Sequence, residues 1–297
     1  SIKRTLRQES CLLQLEPADL LRIKSRKEAK DSRRKWFPYT KGGEFKKWYG
    51  NHEYVIYWEN DGQLVKSMPN SGIQGQKAFD HDAVVWSDIT SSGFSARLKP
   101  KYFLFDSASP LGLTLEPKFQ SGLLRYLNSK IVSELALILN PTLHFKVGNF
   151  RSLPFNPVEL DADNFIALAK ENWDSYEISW DFTQNPIIRT QQPNLEQAFN
   201  TWQQQNADAV AEMKRLEEEN NKLFIEAYGL QDELTPDVPD EQITLTRADR
   251  EKDSQRLVSY ALGCMMGRYS LDEPGLIYAH AGNQDFDANR YQTFPAD

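Results

Sequence analysis

The stretch "GLLRYLNSKIVSELALILNPT", Gly122–Thr142, decides the fold class. Its apolar residues Leu123, Leu124, Leu127, Ile131, Leu135 and Ile138 recur at helical spacing until Pro141 stops the run. Upstream the period is shorter. "YVIYW" (Tyr54–Trp58) and "QLVK" (Gln63–Lys66) flank Asn60-Asp61-Gly62, which predicts a hairpin because Asp-Gly suits left-handed turn positions. Further apolar or alternating runs stand at "AVVW" (Ala83–Trp86), "FSARL" (Phe94–Leu98) and "YFLF" (Tyr102–Phe105). Strands first and helices afterwards predict an α+β fold: a mixed, mostly antiparallel twisted sheet with helices packed on it.

Downstream, "VGNFRSLPF" (Val147–Phe155) reads as a short turn, and a second helix is expected to begin around Asp161. From Leu195 to Ala227 the residues Leu195, Phe199, Trp202, Asn206, Ala209, Met213, Leu216, Asn220, Leu223 and Ala227 alternate steps of four and three, a heptad seam. It predicts a rod of roughly 50 Å, stopped by Gly229 with Pro236 and Pro239 beyond. Either it is a coiled coil, with Asn206 and Asn220 fixing register, or a long amphipathic helix inside the fold. At the other end, "PADLLRIKSRKEAKDSRRK" predicts a short basic helix starting near Pro17. The expected division is residues 1–160 and a helical spacer with a further helical region over 161–297.

The chain carries 35 Lys/Arg and 42 Asp/Glu among 297 residues, but not evenly. Residues 1–50 hold 14 basic against 6 acidic, 51–150 hold 9 against 9, and 151–297 hold 12 against 27. A polyanion partner suits the first third, since phosphate neutralisation is the main sequence-independent source of nucleic-acid affinity. Cys11 and Cys264 stand far apart and His52, His81, His144 and His280 are scattered, giving neither a disulfide framework nor a metal ligand set. No apolar run reaches a membrane span, and no signal peptide opens the chain, so a soluble, cytoplasmic protein is expected. The start "SIKRTLRQES", without Met, and the polar end "NRYQTFPAD" suggest a piece of a longer polypeptide.

Two stretches carry the candidate site. "KWFPYTKGGEFKKWYG" (Lys35–Gly50), preceded by Arg33 and Arg34, offers Lys35, Lys41, Lys46 and Lys47 for phosphates, with Tyr39 and other aromatics to pack or stack and Gly42-Gly43 to let backbone approach closely. The bland alternative is a solvated charge run over buried aromatics. "WSDITSSGFSARLKPK" (Trp86–Lys101) brings Ser91, Ser92, Arg97 and Lys99, groups able to bond base edges and phosphates, although Ser, Thr and Gly also simply mark turns. There is no G-x-S-x-G elbow, no Cys beside a His and no carboxylate pair whose spacing demands acid–base work.

Together with "LLRYLNSKIVSELALILNPTLHFKVGNFRSLPF" and "EEENNKLFIEAYGLQDELTP", these stretches resemble the C-terminal half of the adenine-specific DNA methyltransferases of BREX phage-defence systems, the PglX-like family. The helix carrying "LNSK" is also similar to target-recognition domains of Type I specificity subunits. The resemblance implies a duplex-DNA target-recognition domain, joined in the parent chain to a methyltransferase catalytic domain that uses S-adenosyl-methionine and works with other defence-system proteins. That catalytic half carries an Asn-Pro-Pro-aromatic motif. Here Asn140-Pro141, Asn156-Pro157 and Asn185-Pro186 continue with Thr142, Val158 and Ile187, so the chain by itself is expected to bind no cofactor and to be no enzyme. The competing expectation is a protein-interaction module built on the acidic last third and the seam, with DNA bound elsewhere.

Overall fold

The structure is a computed structural model that describes residues 31, 35–69, 71, 75, 78–89, 93–140, 142, 144–279 and 286–293. The expected basic helix near Pro17, and Arg33, Arg34, Ser91 and Ser92, lie outside the described residues. The chain divides into two compact units, Ile23–Trp173 with Asp208–Thr246, and Asp174–Ala207 with Arg247–Asp297.

The first unit holds two small sheets. In one, β1 (Trp36–Thr40) lies between β2 (Tyr54–Tyr57), antiparallel to it, and β5 (Leu104–Phe105), parallel to it. In the other, β3 (Ala83–Trp86) pairs antiparallel with β4 (Ala96–Lys99) and with β6 (Leu111–Gly112). Every residue of β3 is buried, as the unbroken apolar run predicts for a central strand.

The expected hairpin is corrected. Asn60, Asp61 and Gly62 do take left-handed backbone, with φ of 52°, 57° and 71°, but Gln63–Lys66 continues as helix α1 (Glu59–Ser67) instead of returning as a strand. The turn folds onto Trp58: its Nε1 donates to Asp61 at 3.3 Å, and a Cβ on Gly62 would lie 2.7 Å from the indole. β2 therefore finds its partner in β1.

Gly122–Thr142 is helical but broken into α2 (Gln120–Leu127) and α3 (Lys130–Leu139). At the break, the buried Asn128 side chain accepts from Ala96 N–H and donates to Ala96 C=O, both at 2.9 Å, so it caps the end of β4. A short helix α4 (Val147–Arg151) and α5 (Asp163–Asp174) follow, the latter two residues beyond the expected start. Trp48, Trp86, Leu124, Leu127, Ile131, Phe145, Phe165, Met213 and Phe224 share this unit's core.

In the second unit, α6 (Pro186–Arg189) is capped by Asn185, whose side chain accepts from Ile187 N–H at 3.0 Å. α7 (Leu195–Ala227) has the bounds that the heptad seam predicts, its residues up to Ala207 belonging to this unit and the rest to the first. Several seam residues find partners inside the chain. Trp202 joins Ile187 and Ala198 in a core cluster, and Asn206 accepts from Ala248 N–H at 2.8 Å. In the first unit, Asn220 accepts from Arg125 Nε at 2.9 Å and donates to Arg125 C=O at 3.0 Å. The last helix, α8 (Arg250–Met265), starts at Asp249, whose side chain accepts from Lys252 N–H at 2.9 Å.

Candidate nucleic-acid interface

Four loops of the first unit meet beyond the ends of β1 and β3. The Lys41–Glu44 loop leaves β1 and is pinned to the start of the next one by Ser87, whose hydroxyl accepts from Gly43 N–H at 3.0 Å and donates to Gly43 C=O at 2.9 Å. Asp88 N–H donates to Ala108 C=O at 3.1 Å, bringing in the Asp106–Ser109 loop. Gly42 rests on that same carbonyl, and a Cβ there would lie 2.3 Å from the oxygen. The fourth loop arrives where Phe145 N–H donates to Asp88 C=O at 2.8 Å, which sets His144 Nδ1 3.4 Å from Asp88 Oδ2. Loops without regular structure are thus cross-tied by backbone bonds, the condition for presenting side chains at fixed positions.

The candidate residues divide by location. Lys35 and Lys41 are exposed, Lys41 with its ammonium 5.1 Å above the Tyr54 ring. Tyr39 is half-buried, and burial, together with the charge of Asp106 and a hydrogen bond to it, raises its hydroxyl well above the usual range. Gly43 is open to solvent and its neighbour Gly42 half-buried.

The other cations turn inward. Lys46 Nζ donates to Thr244 C=O at 2.8 Å, and burial lowers its pKa to about 8. Lys47 is buried in an ion pair of 2.6 Å with Glu217, whose other oxygen accepts from Trp48 Nε1 at 2.7 Å. Arg97, on β4, is wholly buried: Nη2 donates to Lys41 C=O at 3.1 Å and Nη1 to Ser87 Oγ at 3.4 Å, and burial lowers its pKa to about 10. Lys99 is equally buried, its ammonium on the carbonyls of Pro100 (2.9 Å) and Phe103 (3.1 Å), and burial lowers its pKa to about 7. Lys47, Arg97 and Lys99 are buried, and Lys46 is partly so, with its ammonium on a carbonyl of the fold. Their direct effect is on the loop: Arg97 braces Lys41 from behind, and Lys46 and Lys47 fasten the other end of the segment.

His144 and Lys146, both exposed on the fourth loop, are not singled out by the sequence, because a single His and a single Lys carry no local signal. Nor are Glu217 and Thr244, which hold Lys46 and Lys47. Among the described residues no group of three or more His, Cys, Asp or Glu is placed to hold a metal ion, and no helix is long and apolar enough to cross a membrane. A cleft of about 610 Å³ lies between β3, β4 and α2, lined by residues such as His81, Asp82, Lys101, Gln120 and Asp163.

The chain that carries these charged, polar loops is similar to adenine-specific methyltransferases. It is 39% identical to "Adenine-specific methyltransferase PglX" of Lacticaseibacillus casei (strain Zhang) over 278 residues, which is 87% of this chain and 23% of that protein. It is 33% identical to "Adenine-specific methyltransferase BrxX" of Escherichia coli O9:H4 (strain HS) over 290 residues, 89% of this chain and 24% of that protein. The chain therefore spans about a quarter of the length of these curated relatives. No protein-family model matches it.

Proposed function

We propose that this chain is the duplex-DNA target-recognition region of an adenine-specific, S-adenosyl-methionine-dependent DNA methyltransferase of the BREX phage-defence type. The observation that carries the proposal is the alignment of nearly the whole chain with one quarter of two adenine-specific methyltransferases. The cross-tied loop surface supports it. A methyltransferase must take its adenine out of the stack, so a separate grip on the flanking duplex has a mechanical role.

In this reading Lys35, Lys41 and Lys146 meet phosphates, while His144 and the Gly42-Gly43 backbone approach the groove edge. Arg97, Lys46, Lys47 and Lys99 act from beneath: they fix where Lys41 stands. The cofactor supplies the methyl group in the rest of the enzyme, and the residues of this chain bind and orient DNA. The test is binding of labelled duplex by the chain across a salt series, with Lys41→Ala and Lys146→Ala beside the wild type; salt-independent or absent binding counts against the proposal.

A second reading, a protein-interaction module, is favoured by one observation in the other unit. Val258, Leu262, Met265 and Met266 form an exposed apolar stripe running along α8 to its end. Such a stripe suits another protein of the defence system rather than nucleic acid.

A further inference from the structure

Helix α4 lies in the middle of a band of exposed aliphatic side chains. On one side, Leu137 and Ile138 at the end of α3 are 65% and 75% exposed, and the adjoining Leu139 offers its carbonyl to Asn149 Nδ2 of α4 at 3.4 Å. Three consecutive residues turn through about 200° of a helix, so the end of α3 is apolar well beyond the face that it buries. Val147, the first residue of α4, is 39% exposed. On the other side Phe150 of α4 packs directly on Gly112 of β6, where a Cβ would lie 3.0 Å from the ring. The loop after β6 then carries Leu115, whose side chain is fully in solvent.

Between that loop and α4 opens an apolar cleft of about 350 Å³, lined among others by Leu113, Leu115, Phe119, Phe150 and Phe155. Phe150 is itself held, stacked on the buried Trp86 with ring centroids 4.9 Å apart. The cleft and its aliphatic rims are therefore a shaped surface on a fixed base. Exposed apolar side chains around an apolar cleft mark a contact with protein, since phosphates and base edges offer them little.

We infer that this band is the seat of the remainder of the polypeptide, with an apolar side chain of that remainder entering the cleft beside Phe150. The occupant follows from length: both relatives continue for about three quarters of their sequence outside the region that this chain matches. A surface that is apolar in the piece is then covered in the whole. Because His144 and Lys146 stand immediately before α4, docking on this band also sets the fourth loop of the site beside whatever covers it. The inference rests on the function proposed above only in taking the longer protein to be built like its methyltransferase relatives.

Hydrogen exchange read by mass spectrometry, on this chain and on the full-length protein, tests the docking. In the full-length protein, amides of 113–116 and of 137–151 exchange about tenfold more slowly or better, while those of β1 exchange alike in the two samples. Leu115→Glu with Ile138→Glu, both at exposed positions that leave folding intact, returns the full-length protein's exchange to the rate of the isolated chain. Equal exchange in chain and full-length protein overturns the inference. So does protection in the isolated chain that rises with its concentration, which assigns the band to a second copy. DNA binding is measured on the same samples: its absence with the protection present sinks the recognition reading alone, and its presence without protection sinks the docking alone.

Discussion

Lys47 Nζ lies 2.6 Å from Glu217 Oε2, both side chains buried, joining residues 170 positions apart. Trp48 Nε1 takes the other oxygen of the same carboxylate at 2.7 Å. One acid on α7 thus anchors two consecutive residues of the basic, aromatic stretch Lys35–Gly50. Trp48 reaches it with a left-handed backbone, φ 68°, while its ring stacks on Phe165 at 4.2 Å. The charge of that stretch is divided in two: Lys35 and Lys41 remain outside, and Lys46 and Lys47 secure the segment to the fold.

Removing one partner of this pair leaves the other charge buried. Lys47→Ala is expected to destabilise the first unit by about 3–5 kcal/mol, whereas Lys47→Met combined with Glu217→Gln, which keeps an acceptor for Trp48, costs far less. Urea unfolding midpoints of the two variants against wild type check this; equal losses would mean that the pair is not formed.

Lys99 gives a pH dependence with a definite sign. Burial lowers its pKa from 10.5 to about 7, so between these values the unfolded chain binds the proton that the folded chain has released. Stability then rises with pH from about 7 until the unfolded-state lysine itself deprotonates. Lys46, lowered to about 8, adds to the same rise over a narrower window. Lys99→Met flattens the slope of stability against pH between 7 and 9, measured by denaturant unfolding in matched buffers. A slope unchanged by the substitution would show Lys99 charged in the fold.

How much of this was legible beforehand depends on the range of the interaction that decides each element. β3 and α7 were readable because their signals are local and repeated: four apolar residues in one case, a seam of 33 residues in the other. The break between α2 and α3 was not, because it exists for Asn128 to meet Ala96, 32 residues back. The left-handed Asn60–Gly62 turn was legible, but its sequel depends on Trp58 covering Gly62. In the site, the basic, glycine-containing stretch Lys35–Gly50 reads in the sequence as one surface loop, whereas Trp36–Thr40 forms the largely buried strand β1 and only the part from Lys41 on is loop. The stretch held no sign of which lysines face inward, since Glu217 and Thr244 lie about 170 and 200 residues downstream.

Gly42 offers a matched pair of substitutions. A Cβ there would meet the Ala108 carbonyl at 2.3 Å, whereas one at Gly148 meets nothing within 4 Å. Gly42→Ala is expected to shift the Lys41 loop and weaken duplex binding several-fold, while Gly148→Ala, within a helix, is neutral or stabilising by up to about 1 kcal/mol. Thermal melts and duplex titrations of both variants test the contrast. Unimpaired binding by Gly42→Ala would remove the loop from the interface.

The claim that an exposed lysine on a braced loop grips duplex DNA is tested most directly by the salt dependence of binding. Anisotropy titrations of a labelled duplex with wild type and Lys41→Ala, over about 50–200 mM salt, yield the slope of log affinity against log salt. A phosphate contact at Lys41 predicts that the variant's slope is shallower by about 0.9 and that its affinity falls alike on every duplex sequence. Identical slopes and affinities for the two proteins would contradict it.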